Sequence, residues 1–152
     1  MASTRTEIDD ENGELDDGLS EMRLWIRHRA RQTIRWTSQL ALLRIAPATA
    51  QGRARLILGL TVGQHAEAKR WLARAKARGV SAGGYMTFDE ALHEVADEWF
   101  RTVIQVGLLK RAGRARQDII AHAGLTEDEF DWAFGWWRDA EAACKPEEET
   151  AV

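Results

Sequence analysis

Apolar residues recur at helical spacing along residues 20–46 and predict the first helix of the chain. Ser20 can cap its start, and Pro47 disfavours its continuation beyond about Ala46. The apolar positions on one broad arc are Met22, Trp25, Ile26, Thr33, Trp36, Thr37, Leu40, Ala41 and Leu43. The pattern therefore predicts an amphipathic helix that buries this arc.

A second apolar stripe lies in the middle of the chain and predicts a central core helix. Thr87 and Glu90 have the spacing of a capping box at its start, and Gly113 follows its end. The stripe consists of Phe88, Leu92, Val95, Trp99, Val103 and Val106. Its regular spacing indicates the most secure core element of the sequence.

Three further helices are predicted from glycine and threonine positions. An alanine-rich helix at 64–78 is expected to end at Gly79, and a short helix at 114–123 is expected to end at Gly124. Thr126 and Glu129 form another capping box, which predicts the last helix at 127–143. The sequence thus favours helix over most of its length.

The segment 55–62 is compatible with a short strand or with a buried helix interrupted by glycine. We favour helix, because an isolated strand has no partner in a helical domain. Gly59 and Gly63 are then expected to allow two helices to approach closely. The predicted fold is all-α, a compact bundle of five or six helices with a disordered acidic N-terminal tail. The predicted organisation is a tail at 1–19, one helical domain at 20–144 (basic half 20–78, hinge 79–86, acidic half 87–144) and a loose acidic tail at 145–152.

The composition is that of a globular chain. Its 152 residues, 45% hydrophobic content and seven tryptophans are enough to form a core. The single cysteine, Cys144, excludes an internal disulfide and makes a reducing cytoplasm the expected location. No targeting segment is apparent at the start, and the apolar stretch 56–62 is too short to cross a bilayer.

Charge is strongly segregated along the chain. Residues 1–21 carry a net charge of −7, residues 22–88 carry +12, and residues 89–152 carry −8. No carboxylate occurs between Glu21 and Glu67. Such a basic block is expected to bind either a polyanion or the acidic part of the same protein.

The basic block predicts a nucleic-acid-binding surface, DNA or RNA, made by arginine-rich helices. Trp25, Trp36 and Trp71 could stack on exposed bases. The alternatives are a solvated face that binds nothing and an interface with anionic lipid. Arg29 and Arg44 fall on the apolar side, where they must extend to solvent or pair with acids of a neighbouring helix. The candidate phosphate-binding residues are Arg23, Arg27, Arg31, Arg35, Arg53, Arg55, Lys69, Arg70 and Arg74.

Residues 116–134 contain apolar and turn positions in a helix–turn–helix order. These positions are Ile119, Ala123, Gly124, Leu125, Thr126, Phe130 and Ala133. On them the segment resembles a helix–turn–helix unit, which would imply a second helix that reads the DNA major groove. It departs from that pattern at Ile120, where a small residue is usual, and at the acidic positions Glu127, Asp128 and Asp131. A plain helical hairpin is the alternative.

The last helix is predicted to have two aromatic faces. Phe130, Ala133, Phe134 and Trp137 are expected to lie in the core. Trp132 and Trp136 are four residues apart and are expected to form a second face that binds a protein partner or a second copy of the chain. This face supports the alternative function of a protein–protein adaptor or assembly subunit.

No catalytic arrangement is apparent, and the chain is predicted not to be an enzyme and to bind no cofactor or metal. Glu90, His93, Glu94 and Asp97 share a face of the central helix, and Glu-x-x-His is the spacing of di-iron bundles. The motif occurs once, whereas such sites use it twice. A solvated face is therefore the expected role of these residues.

Overall fold

Five helices of eight residues or more are present in the computed structural model, which describes residues 18–43 and 55–145. Those residues contain no strand, so the all-α prediction is confirmed. The helices are α1 (Leu19–Leu42), α2 (Val62–Ser81), α3 (Phe88–Arg111), α4 (Arg116–Ala123) and α5 (Glu127–Ala143).

Three helices begin with a capping box, in which a threonine hydroxyl accepts from the backbone N–H three residues later. The later side chain accepts in turn from the threonine N–H, so two otherwise unsatisfied donors are paired. The pairs are Thr61 with Gln64, Thr87 with Glu90 and Thr126 with Glu129, at 2.9–3.2 Å. The second and third boxes confirm the predicted starts. The box at Thr61 was missed, although its T-x-x-Q spacing is visible in the sequence.

Two predicted boundaries of the basic helices are wrong. The first helix ends at Leu42 and not near Ala46. The second helix passes through Gly79 and ends at Ser81, because glycine also tolerates the helical backbone conformation. It is followed by Gly83 and Gly84, whose φ values of 65° and 84° are incompatible with helix continuation.

The ambiguous segment 55–62 contains a single helical turn at 55–58. Gly59 then has a φ of 67°, Leu60 is buried, and Thr61 caps α2. The preference for helix over strand is therefore right for one turn. The expected close approach at Gly59 and Gly63 is wrong, since a Cβ added at either position would have nothing within 4 Å.

The described residues divide into two compact units, and the first comprises 18–28 and 102–145. Its large buried side chains include Met22, Ile26, Val103, Val106, Ile119, Phe130, Trp136 and Trp137. Helix α3 lies tightly against the Trp137 ring of α5 at Gly107, where an added Cβ would lie 1.9 Å from that ring. Glycine is therefore needed at this contact for steric reasons.

The second unit comprises 29–43 and 55–101. Its buried residues include many alanines and two tryptophans, and the full set is Ala30, Thr33, Thr37, Leu60, Glu67, Ala68, Trp71, Ala75, Ala91, Leu92, Val95, Ala96 and Trp99. The buried hydroxyls of Thr33 and Thr37 donate to the carbonyl oxygens of Arg29 and Thr33, at 2.8 and 2.6 Å. Each hydroxyl is thus satisfied within its own helix and can be buried.

The two units do not coincide with the predicted basic and acidic halves. The chain leaves the first unit within α1 and returns to it within α3, so that neither boundary lies in the predicted hinge 79–86. Leu19, assigned to the acidic tail, is a buried residue of α1. Residues 1–17 of that tail and nearly all of the C-terminal tail lie outside the described residues.

Candidate nucleic-acid interface

Four arginines follow one another at intervals of four residues along α1, and all four are exposed. They are Arg23, Arg27, Arg31 and Arg35. Successive members rise by about 6 Å and rotate by about 40° around the helix axis. The row therefore starts beside the buried stripe, and Arg35 lies on the side of α1 opposite to it.

Three members of this row have no acidic partner within the described residues. Among the residues placed by the structure, no carboxylate forms an ion pair with Arg23, Arg31 or Arg35. Arg27 makes an interaction with the protein itself. The outer side of α1 thus carries positive charge that the described part of the chain does not neutralise.

Arg29 lies on the inner side of the same helix and has a different environment. Its guanidinium pairs with the Glu67 carboxylate of α2 at 2.5 Å, and both side chains are largely removed from solvent. Two alternatives were expected for Arg29, extension to solvent or pairing with an acid of a neighbouring helix, and the structure shows the pairing. Arg44, for which the same was expected, lies outside the described residues.

The predicted basic residues beyond α1 differ from one another in exposure and in contacts. Lys69 and Arg70 are exposed on α2, and both interact with other groups of the protein. Arg74 is half-buried with its guanidinium 5.7 Å from the centroid of the Trp99 ring. Arg55 donates to the Leu60 carbonyl oxygen at 3.3 Å. Arg53 lies outside the described residues.

His65 reports the electrostatic environment at the start of α2. Partial burial, followed by the nearby cations Lys69 and Arg55, lowers the pKa of His65 below its ordinary value of 6.5. Two of the predicted phosphate-binding residues therefore lie close enough to disfavour a further positive charge. The sequence did not single out this histidine.

The tryptophans proposed as base-stacking platforms are not equally available. Trp71 is completely buried, so its assignment as a stacking residue is wrong. Its position on α2 faces the core of the second unit together with Ala68 and Ala75. Trp25 and Trp36 are half-buried on α1. Arginine, and not tryptophan, therefore dominates the exposed side of the basic helices.

The predicted second aromatic face of α5 is wrong for Trp136, which is 1% exposed, whereas Trp132 is half-buried. Phe134, assigned to the core, is half-buried. The buried side of α5 is thus rotated by about 45° from the predicted one, towards Trp136. Burial of the larger indole removes more apolar area from water than burial of the phenyl ring.

The helix–turn–helix resemblance of 116–134 falls on α4, a turn and α5. Gly124 ends α4 in the left-handed conformation, and Ile119 is buried. Arg116 pairs bidentately with Asp131 at 2.5 and 3.4 Å, which lowers the pKa of that carboxyl. One of the acids that would face DNA, Asp131, is therefore neutralised by an arginine of the same protein. The relation to DNA-reading units stays a prediction.

The acidic face of α3 has structural contacts. Glu90 caps its first turn, the His93 ring lies 2.8 Å from the Asp89 carbonyl oxygen, and Glu94 pairs with Arg78 at 3.0 Å. Asp97 is exposed. Within 18–43 and 55–145, no three His, Cys, Asp or Glu residues are arranged to hold a metal ion.

Cys144 is half-buried at the end of α5. Burial, with a smaller contribution from Glu21, raises the pKa of its thiol. The thiolate, which is the nucleophilic form, is thereby disfavoured.

No helix in the described ranges has both the length and the apolar character needed to cross a bilayer. The chain matches no family model, no curated protein and no solved structure.

Proposed function

We propose that this protein binds nucleic acid through the phosphate backbone, with the exposed arginines of α1 as the principal contacts. The observation that carries the proposal is the exposure of Arg23, Arg31 and Arg35 without an acidic partner among the described residues. An exposed guanidinium binds phosphate in a bidentate geometry and releases condensed counterions from the polyanion.

The shape of the row favours backbone contact over base reading. Its guanidinium groups recur about every 6 Å along a rigid helix, so several can bind successive phosphates at once. The burial of Trp71 leaves fewer aromatic rings for bases on these helices. Binding is therefore expected to be strongly salt-dependent and weakly sequence-specific.

The cations Arg55 and Lys69 beside His65 are a second group of candidate phosphate contacts, at the start of α2. Arg55 and Lys69 already depress the pKa of His65, and a polyanion bound beside them would counteract their field. The adaptor alternative has no comparable support, because Trp136 is buried within the chain.

The test compares two double variants that remove the same charge. Arg31→Gln/Arg35→Gln neutralises the outer side of α1, and Lys76→Gln/Arg101→Gln neutralises two exposed bases elsewhere in the same unit. Duplex DNA binding is measured by gel shift over a salt series. The α1 variant should reduce the slope of log K against log salt by about 1.8, since each lost phosphate contact removes about 0.9.

The control variant should retain most of the slope. Equal slopes for the two variants would show that α1 is not the contact surface, and no binding by the wild type would refute the function. Proton NMR of His65 supplies an independent measurement. Its pKa should rise when DNA is added, and a constant pKa would exclude Arg55 and Lys69 from the contact.

A further inference from the structure

Four cationic side chains lie over the aromatic rings of α5, in a region that the predicted basic surface does not include. Two come from α3, one from α4 and one from α5 itself. The pairs are Arg111 with Trp137 at 5.0 Å, Arg116 with Phe130 at 4.8 Å, and Phe134 with both Lys110 at 5.5 Å and Arg138 at 5.9 Å. All belong to the first unit.

Two of these four cations have acidic partners. Arg111 pairs with Glu141 at 3.5 Å, and Arg116 pairs with Asp131 at 2.5 Å. For Lys110 and Arg138, the described ranges contain no ion-paired carboxylate. The two cations for which the described part of the chain supplies no carboxylate are therefore the two that lie beside the Phe134 ring.

Phe134 itself is half-buried and stacks on Phe130, with ring centroids 5.7 Å apart and an interplanar angle of 28°. The stack fixes the ring on a rigid helix, and two positive charges converge on it. Two like charges beside one neutral ring repel each other, and the attraction of a half-buried ring for each of them offsets only part of this repulsion. An anion placed between Lys110 and Arg138 would relieve this repulsion.

We propose that Lys110, Arg138 and Phe134 form a site for one nucleotide of a single-stranded nucleic acid. Lys110 and Arg138 move off the Phe134 ring to bind the phosphate of this nucleotide. The base then stacks on the part of the ring that the two cations covered. Bases in a duplex are already stacked on each other, so this site selects single strands. The inference rests on the proposed function and adds the kind of strand that is recognised.

The sequence carries part of this information. Phe134 and Arg138 are four residues apart on α5 and thus lie on the same side of that helix. The approach of Lys110 from α3 depends on how the two helices pack and is not visible in the sequence.

The experiment measures fluorescence anisotropy of a labelled twelve-residue oligothymidine and of a twelve-base-pair duplex. Lys110→Gln/Arg138→Gln should reduce the salt slope for the single strand by about 1.4, at about 0.7 for each phosphate contact. Phe134→Leu should weaken single-strand binding at least about fivefold, through loss of base stacking. Neither variant should change duplex binding by more than about twofold.

Inorganic polyphosphate serves as a ligand that has phosphates and no bases. Its binding should be weakened by Lys110→Gln/Arg138→Gln and unaffected by Phe134→Leu. Circular dichroism checks that each variant is folded. If Phe134→Leu does not fold, Lys110→Gln/Arg138→Gln alone decides the phosphate part, and Phe134→Tyr, which keeps a ring, must bind the single strand as the wild type does.

The outcomes separate the two proposals. If the wild type binds neither DNA, both proposals fail. If Arg31→Gln/Arg35→Gln weakens binding and the variants around Phe134 do not, only this inference is overturned. Lys76→Gln/Arg101→Gln again controls for net charge, and an equal effect of this control on the single strand would also overturn the inference.

Discussion

The inner and outer sides of α1 place arginine in opposite environments. Arg29 is held by Glu67 at 2.5 Å, with both side chains largely shielded from solvent. Arg31, only two residues further along, is exposed, and no carboxylate of the described chain pairs with it. The two residues are identical in type and differ only in their angle around the helix.

One block of positive charge can therefore serve two purposes. A partly buried guanidinium must be paired, because an unpaired charge away from water is strongly destabilising. An exposed guanidinium is solvated and contributes little to stability, so it remains available to an external anion. Inner positions should therefore determine stability, and outer positions should determine binding.

The largest difference in stability is expected between two helical glycines, one packed against a neighbouring helix and one with open space around it. Gly107→Ala would place a Cβ 1.9 Å from the Trp137 ring and should destabilise the protein by about 3 kcal/mol. Gly135→Ala has nothing within 4 Å and should stabilise it by about 0.5 kcal/mol through reduced backbone entropy of the unfolded chain. Urea unfolding of both variants measures the difference. Similar midpoints would show that the α3–α5 contact is not tight.

The next largest difference separates Arg29 from its outer neighbours. Glu67→Ala should cost about 2 kcal/mol, because it leaves the Arg29 charge partly buried without its carboxylate. Arg31→Gln/Arg35→Gln should change the free energy of unfolding by less than about 0.5 kcal/mol. Arg29→Met/Glu67→Leu, which removes both charges, should recover most of the loss. If Arg29→Met/Glu67→Leu lowers the free energy of unfolding as much as Glu67→Ala does, this account of the pair is contradicted.

The smallest effect is expected at an ion pair that is itself exposed. Arg78 contacts Glu98, and this contact lowers the pKa of the Glu98 carboxyl below its ordinary value of 4.5. The stabilisation is therefore present above pH 4.5 and is lost as the pH falls through the lowered pKa. Because the Glu98 side chain is half exposed, the effect should stay below about 1 kcal/mol.

Thermal unfolding between pH 7 and pH 3 measures this contribution. Glu98→Gln cannot ionise at this position and should reduce the acid-dependent loss of stability. A Glu98→Gln profile identical to that of the wild type would show that the pair contributes nothing.

The starts and ends of several helices could be predicted because they depend on neighbouring residues. The boxes at Thr87 and Thr126 and the left-handed Gly124 are formed by groups within a few residues of each other. The prediction failed at Gly79, where glycine was compatible with two local conformations.

The candidate site was predictable only in part, for a related reason. Exposure of Arg31 and Arg35 follows from their spacing relative to the apolar arc of α1. Burial of Trp136 in place of Phe134 does not follow, because apolar residues occur on both sides of α5 and either side could face the core. The convergence of Lys110 and Arg138 on Phe134 depends on that choice.

The amino-acid sequence was sufficient to predict that this protein is helical, where α3 and α5 begin, and that its positive charge is concentrated in residues 22–88. The packing of the helices set the pairing of Arg29 with Glu67, the burial of Trp71 and Trp136, and the approach of two cations to Phe134. The physical reason is the range of the interactions. Capping and backbone conformation act within one turn, whereas the rotation of a helix about its axis is set by side chains from distant parts of the chain.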